Sequence, residues 1–285
     1  IALVADDAYR IKDEKKRAIY IGVENGYPLG KDLTRLQQYY NLGARYLTLS
    51  HTRNNDICDS STDPHGPEHN GLSPFGFQVV RELNRLGMMV DVSHISDDAF
   101  YQVLQFSKTP VIASHSCVRA ICDNPRNLND DMLRKLAENG GVIQMCLLSS
   151  YLKDPEPYPA RDSARAAVSA KWGSFRDLEP EQRQQAFDEW YAIDDEFPPK
   201  LANVKDLVDH IDHVVQLVGV DYVGIGSDFD GGGAIDGCTD ASEMINITVE
   251  LLRRGYNEKE IRKIWGENFL RVFREVEEYA KTSSL

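Results

Sequence analysis

Short apolar runs recur along the chain, and most of them end on a residue that can bind a metal ion or move a proton. AIYIGVE (18–24) ends in Glu24, YLTLSH (46–51) in His51 and MMVDVSH (88–94) in His94. PVIASHS (110–116) carries His115 at its end, and YVGIGSDFD (222–230) closes on Asp228 and Asp230. A sixth run, GVIQMCLL (141–148), ends without such a group. Runs of this length, set between helical patterns, predict buried parallel strands.

The segments between them have helical periodicity and recognisable ends. LGKDLTRLQQYYNLG (29–43) predicts a short helix stopped by Gly43. Ser73 is placed to cap a helix, Pro74 to occupy its first turn and Gly87 to end it. Further helices are predicted over 96–107, 130–141, 203–219, about 241–254 and 258–280. The segment 152–200 is rich in charge, proline and aromatics and contains a helical pattern at 178–192. Regular alternation of strand and helix predicts an α/β fold, a TIM-type (β/α)8 barrel, and the donors at its strand ends suit one of the metallo-dependent hydrolase kind. Ligands and acid–base groups at successive strand ends are what the active-site rim of such a barrel carries. The expected organisation is a single barrel domain over 1–285 with an inserted excursion at about 152–200. A closed barrel of this type needs eight strands and six are counted, so the first one or two βα units are expected to be absent from this chain, upstream of Ile1.

With 285 residues and 42% hydrophobic content, the chain can bury a substantial core. Lys and Arg number 32 against 45 Asp and Glu, a net charge of −13, which argues against a nucleic-acid partner. No apolar stretch approaches the ~20 residues of a membrane span. The five cysteines are odd in number, scattered and without a C-x-x-C pair, so no disulfide framework is expected.

His94 and His115, each preceded by serine, are the strongest candidate metal pair, since imidazoles from neighbouring strand ends can meet on one ion. Glu24 can bridge metal ions with its two oxygens, and His51 can serve as a ligand or polarise a substrate carbonyl. Strand alternation would point Asp228 and Asp230 to one face, where one could act as general base. The following glycines lack the Lys and Ser/Thr of a phosphate loop. Arg126, in DNPRNLNDD, can clamp a substrate carboxylate, or it can be a solvated loop arginine. His210 and His213, three apart on an amphipathic helix, read as structural. His65 and His69, in a loop expected to be mobile, are not expected to be ligands.

Taken in order, IGVENGYPLG, ARYLTLSH, GLSPFGFQVVRELNRLGMMVDVSHIS, PVIASHS, PRNLNDD, VDHIDHV, VGIGSDFDG and GENFLRVF resemble the membrane (renal) dipeptidase family of zinc hydrolases, from about residue 18 to 275. The resemblance implies hydrolysis of dipeptides by a metal-bridging hydroxide, with tolerance of D-residues at the C-terminal position. It implies Glu24, His94 and His115 as metal ligands, Asp228 and His51 as catalytic residues, and Arg126 with His51 as substrate-binding residues. Two zinc ions are expected for the complete family site, of which one ion's ligands and the bridging Glu24 are visible. The family's H-x-D strand does not precede Glu24; the one such spacing, His210 and Asp212, falls on a helix. Cys122 matches one half of a disulfide of animal members, but the other half falls at Asp154. The alternative is a non-catalytic or maturation-type barrel of the same family that binds a small peptide or carboxylate. The expected partner is a dipeptide; a homodimer and a periplasmic or cell-envelope location are left open.

Overall fold

A computed structural model describes residues 1–283. Six short strands form one all-parallel sheet in chain order: β1 (Ile21–Val23), β2 (Ala44–Thr48), β3 (Met89–Asp91), β4 (Ile112–Ser116), β5 (Val142–Cys146) and β6 (Val223–Ser227). The order never reverses, so there is no switch point of a doubly wound sheet. Successive βα units adding strands in one direction is the barrel pattern.

The helices are α1 (Asp7–Asp13), α2 (Thr34–Asn41), α3 (Pro74–Leu86), α4 (Asp97–Phe106), α5 (Asp130–Glu138) and α6 (Ser149–Leu152). Then come α7 (Pro159–Trp172), α8 (Pro180–Glu196), α9 (Val204–Val218), α10 (Ile245–Arg253), α11 (Glu258–Arg262) and α12 (Asn268–Ser283). Their ends follow local chemistry. The Ser73 hydroxyl accepts from Gly76 N at 3.0 Å to open α3, and Gly87, at φ 76°, closes it. Asn203 with Asp206 forms a capping box on α9. Leu47, Val90, Ala113, Ile143 and Val223 pack one sheet face into the main core with the helices. Met89, Ile112 and Val142 instead meet Leu270, Val272, Phe273 and Val276 of α12. Among the described residues no helix is long and apolar enough to cross a membrane.

Two segments differ from expectation. α2 is shorter than 29–43, because Tyr27–Leu29 forms a 3₁₀ turn and Gly30 adopts φ 53° before the helix begins. The pattern over 258–280 is broken by a π-helical stretch, Lys263–Glu267, with non-helical backbone at Gly266. The chain forms two compact units, Ile1–Lys153 with the segment from Ala202 onward, and Asp154–Leu201. In the latter, α7 and α8 are tied by Arg161 and Arg165 on Asp194, at 2.6 and 2.9 Å, and Phe175 packs edge-on against Phe187 and Trp190. α7 lies outside the sequence expectation: none of its residues is buried, so it has no apolar stripe to betray its period.

Candidate metal centre

The strand ends deliver a cluster of donors to one point. Glu24 follows β1 directly, and its Oε1 lies 3.2 Å from His94 Nε2, 3.3 Å from His115 Nε2 and 3.9 Å from His51 Nε2. β1 and β4 are three strands apart, which in a flat sheet means about 14 Å at the usual inter-strand spacing. Contact between Glu24 and His115 therefore requires the sheet to curl, with these side chains on its concave side. His51 and His94 are not on the strands themselves, as their apolar runs suggested. They sit in loops beyond the last residues of β2 and β3, and His94 takes a left-handed conformation at φ 72°. His115 is within β4, where the pairing with β5 slips between Ala113 and Ser116. A slip of this kind re-aims side chains, and it falls on Ser114 and the site residue His115.

The Nε2 atoms of His94 and His115 are 2.7 Å apart. Two bare lone pairs repel at that distance, so the arrangement needs a proton or a cation between them. Glu24, His51 and His94 also offer ligand atoms within 4.8 Å of one another. Three imidazoles and a carboxylate form a donor set of zinc type. The electrostatics keep the donors available. Burial pushes His94 down to about 4, so its ring is neutral near pH 7. The adjoining imidazoles of His115 and His94 hold Glu24 well below the usual carboxylate range, so it is ionised. These residues fit a metal ion.

A second group of residues carries the opposite charge. Arg126 is only 4% exposed, which removes the solvated reading. Its Nη2 donates to His115 O at 3.1 Å, its Nε is buried without an acceptor, and its guanidinium lies 5.4 Å from the Tyr151 ring centre. No carboxylate among the described residues lies within ion-pair distance of it. A buried guanidinium with spare donors and no anion is an anion receptor in waiting. Its loop is pinned by Asn127, whose side chain accepts from Cys117 N and donates to Cys122 O and Tyr151 O.

Asp228 stands at the end of β6 in a left-handed conformation, φ 80°. Burial raises its pKa above the usual carboxylate value, and it lies within electrostatic reach of His115 and Glu24. The glycines after it have a steric cause. A Cβ on Gly231 would sit 2.2 Å from Asp228 Oδ1, and one on Gly233 would sit 2.6 Å from Asp228 O. Asp230 does not share the face of Asp228: the strand ends at Ser227, a 3₁₀ turn follows, and Asp230 is exposed.

The remaining histidines are structural or remote. His210 is buried, accepting from Val118 N at 3.0 Å and donating to Leu152 O at 2.9 Å. His213 meets Asp130 at 2.7 Å and His69 meets Asn55 O at 2.9 Å, while His65 is exposed. The loop holding His65 and His69 is cross-linked, with buried Asp59 accepting from the backbone of Glu68, His69 and Gly71. All five cysteines are buried, and Cys58, Cys117, Cys146 and Cys238 are free thiols. Sequence reasoning missed Asp91, Ser93 and Ser114, which support His115 from behind. The signal was present as the serine before each histidine and the aspartate two residues before Ser93.

The sequence profile described as "Membrane dipeptidase (Peptidase family M19)" matches residues 1–285. A solved structure of the probable dipeptidase PvdM from Pseudomonas aeruginosa is similar at 38% identity and TM-score 0.86, over 98% of this chain and 74% of that one. Dipeptidase tcpJ of Claviceps purpurea is 36% identical over 277 residues, covering 97% of this chain and 55% of its own length. Dipeptidase 3 of Macaca fascicularis is also 36% identical, over 96% of this chain and 48% of its own. The chain thus spans about half the length of the curated relatives it matches.

Proposed function

The chain belongs to the membrane dipeptidase family, peptidase family M19, and on that premise we propose that it hydrolyses dipeptides at a zinc centre held by Glu24, His94 and His115. One observation carries the reading: three donors converge within 3.3 Å of one another, beside a buried arginine whose Nε has no acceptor within the protein. A dipeptide offers both complements, a carbonyl for the cation and a carboxylate for the arginine. When bound, zinc supplies Lewis acidity and lowers the pKa of a water molecule towards neutrality.

The chain's own residues do the rest. Arg126 grips the C-terminal carboxylate, aided by the Tyr151 ring beside it. His51 contacts the scissile carbonyl oxygen and stabilises the charge that develops there. Asp228, whose burial favours holding a proton, accepts one from the attacking water and delivers it to the leaving amine. Glu24, ionised and with two carboxylate oxygens, would help hold the zinc. The family also tolerates a D-residue at the C-terminal position, a preference we extend to this chain. We read the curled sheet as the larger part of an eight-stranded barrel, in keeping with its unreversed strand order and with the greater length of the relatives.

The test is metal analysis of the purified protein together with hydrolysis of L-Ala-L-Ala, L-Ala-D-Ala and their C-terminal amides. Zinc bound in the wild type and lost in His115→Ala, with the free dipeptides cleaved, supports the reading. Zinc retained in His115→Ala, or free dipeptides left intact by zinc-loaded protein, overturns it.

A further inference from the structure

We propose that Asp91 is a positioning residue which, through Ser114, fixes the tautomer of His115 and so presets one ligand of the centre before an ion arrives. The inference rests on the reading of His115 as a ligand. Asp91 is fully buried at the end of β3. Its oxygens accept four hydrogen bonds: from Thr48 Oγ1 at 2.5 Å, Ser93 N at 3.1 Å, Ser114 N at 2.9 Å and Ser114 Oγ at 2.6 Å. Three neighbouring strands are thereby pinned to one carboxylate at the height of the site.

The consequence for His115 follows from counting protons. The Ser114 hydroxyl has one proton and gives it to Asp91, which offers only acceptors. Ser114 Oγ also lies 2.7 Å from His115 Nδ1 and can there only accept. His115 must therefore carry its proton on Nδ1, leaving the Nε2 lone pair directed at Glu24 and His94. The backbone of His115 is held as well, its N–H by Ser93 Oγ at 3.0 Å and its carbonyl by Arg126. His94 has no such support: its Nδ1 is buried without a partner. Carboxylate-anchored hydrogen bonds behind a ligand histidine set its tautomer and orientation. Here a serine hydroxyl is interposed between the carboxylate and the ring.

The test compares Ser114→Ala, Ser114→Thr and Thr48→Val with the wild type. Thr48→Val removes a hydroxyl from Asp91 but leaves the path to His115 intact. ¹⁵N NMR of the metal-free protein reads the His115 tautomer directly, and titration with zinc reads affinity. We expect Nδ1–H in the wild type, Thr48→Val and Ser114→Thr, and a mixed tautomer in Ser114→Ala. Zinc affinity should fall about 10–100-fold in Ser114→Ala, be restored by threonine, and be unchanged in Thr48→Val. Equal losses in Ser114→Ala and Thr48→Val would make Asp91 merely structural and overturn the proposal. So would an unaltered tautomer in Ser114→Ala. A wild type with the Nδ1–H tautomer but no affinity for zinc would keep the hydrogen-bond relay, overturning the zinc reading and with it the ligand-presetting role.

Discussion

The concave surface has two halves built on different principles. The strand ends of β1 to β4 contribute Glu24, His51, His94 and His115, lone-pair donors crowded onto one point. The segments after β4 to β6 contribute Arg126, Tyr151 and Asp228, which rely on burial and backbone conformation. The first half is a donor set that a cation would satisfy, and the second offers guanidinium N–H groups that an anion would satisfy. A ligand that satisfies both must present a polarisable oxygen at one end and a negative group at the other. The pairing also predicts that the halves fail differently: damage to the first should remove the metal, and damage to the second should leave it in place.

Glu24→Gln is the harshest way to break the comparison. It removes the negative charge on which three imidazoles converge. Bound zinc and dipeptide hydrolysis should both drop below detection. The Glu24 side chain is 48% exposed, so the fold should survive, as circular dichroism would check. If the Glu24→Gln variant still held zinc and turned over, the donor half would not be a metal site. Asp228→Asn should sit at the other extreme of the contrast, with kcat reduced about 10²–10⁴-fold and zinc content unchanged. A loss of zinc in that variant would merge the two halves into one.

Arg126→Ala should act on binding alone. Loss of a charge-assisted contact of about 1.5–3 kcal/mol corresponds to a rise in KM of roughly 10–150-fold for free dipeptides. C-terminally amidated analogues should be affected far less. Equal effects on both substrate types would show that the guanidinium supports the His115 carbonyl and does not read a carboxylate.

How much of this was legible in the sequence differs between the halves in the same way. The strand-end donors could be read because apolar runs mark strands and the polar residue closing each run marks the rim. Arg126 could not be weighed, because burial of a loop arginine depends on Asn127 and Tyr151 folding around it. The pairing of Asp228 with Asp230 failed because period-2 alternation holds only while the strand lasts, and β6 stops at Ser227. The left-handed conformation of His94 and the slip in β4 are equally invisible, since tertiary packing imposes them on ordinary residues. Asp91 was hidden inside an apolar run, where its four hydrogen-bond donors come from Thr48 on β2, Ser114 on β4 and Ser93 in the loop after β3. Helix ends, by contrast, were legible at Ser73 and Gly87 because caps are local chemistry.

The gentlest test is Gly231→Ala, which probes how tightly backbone shape governs the second half. Gly231 does not adopt a positive φ, so alanine meets no backbone strain there. The new Cβ would lie 2.2 Å from Asp228 Oδ1, too close to coexist with the present rotamer. The Asp228 side chain must rotate, at a cost of about 0.5–1.5 kcal/mol for an off-rotamer torsion. If the carboxylate is a proton carrier, that displacement should lower kcat by roughly 2–10-fold, since each ~1.36 kcal/mol is a factor of ten in rate. Zinc content should stay at the wild-type level, and KM for free dipeptides should change little because Arg126 is untouched. Steady-state kinetics with metal analysis distinguish this from a general loosening of the site. Unchanged kcat would mean that the carboxylate position is not critical, and that the glycines after Asp228 serve only to let the chain turn.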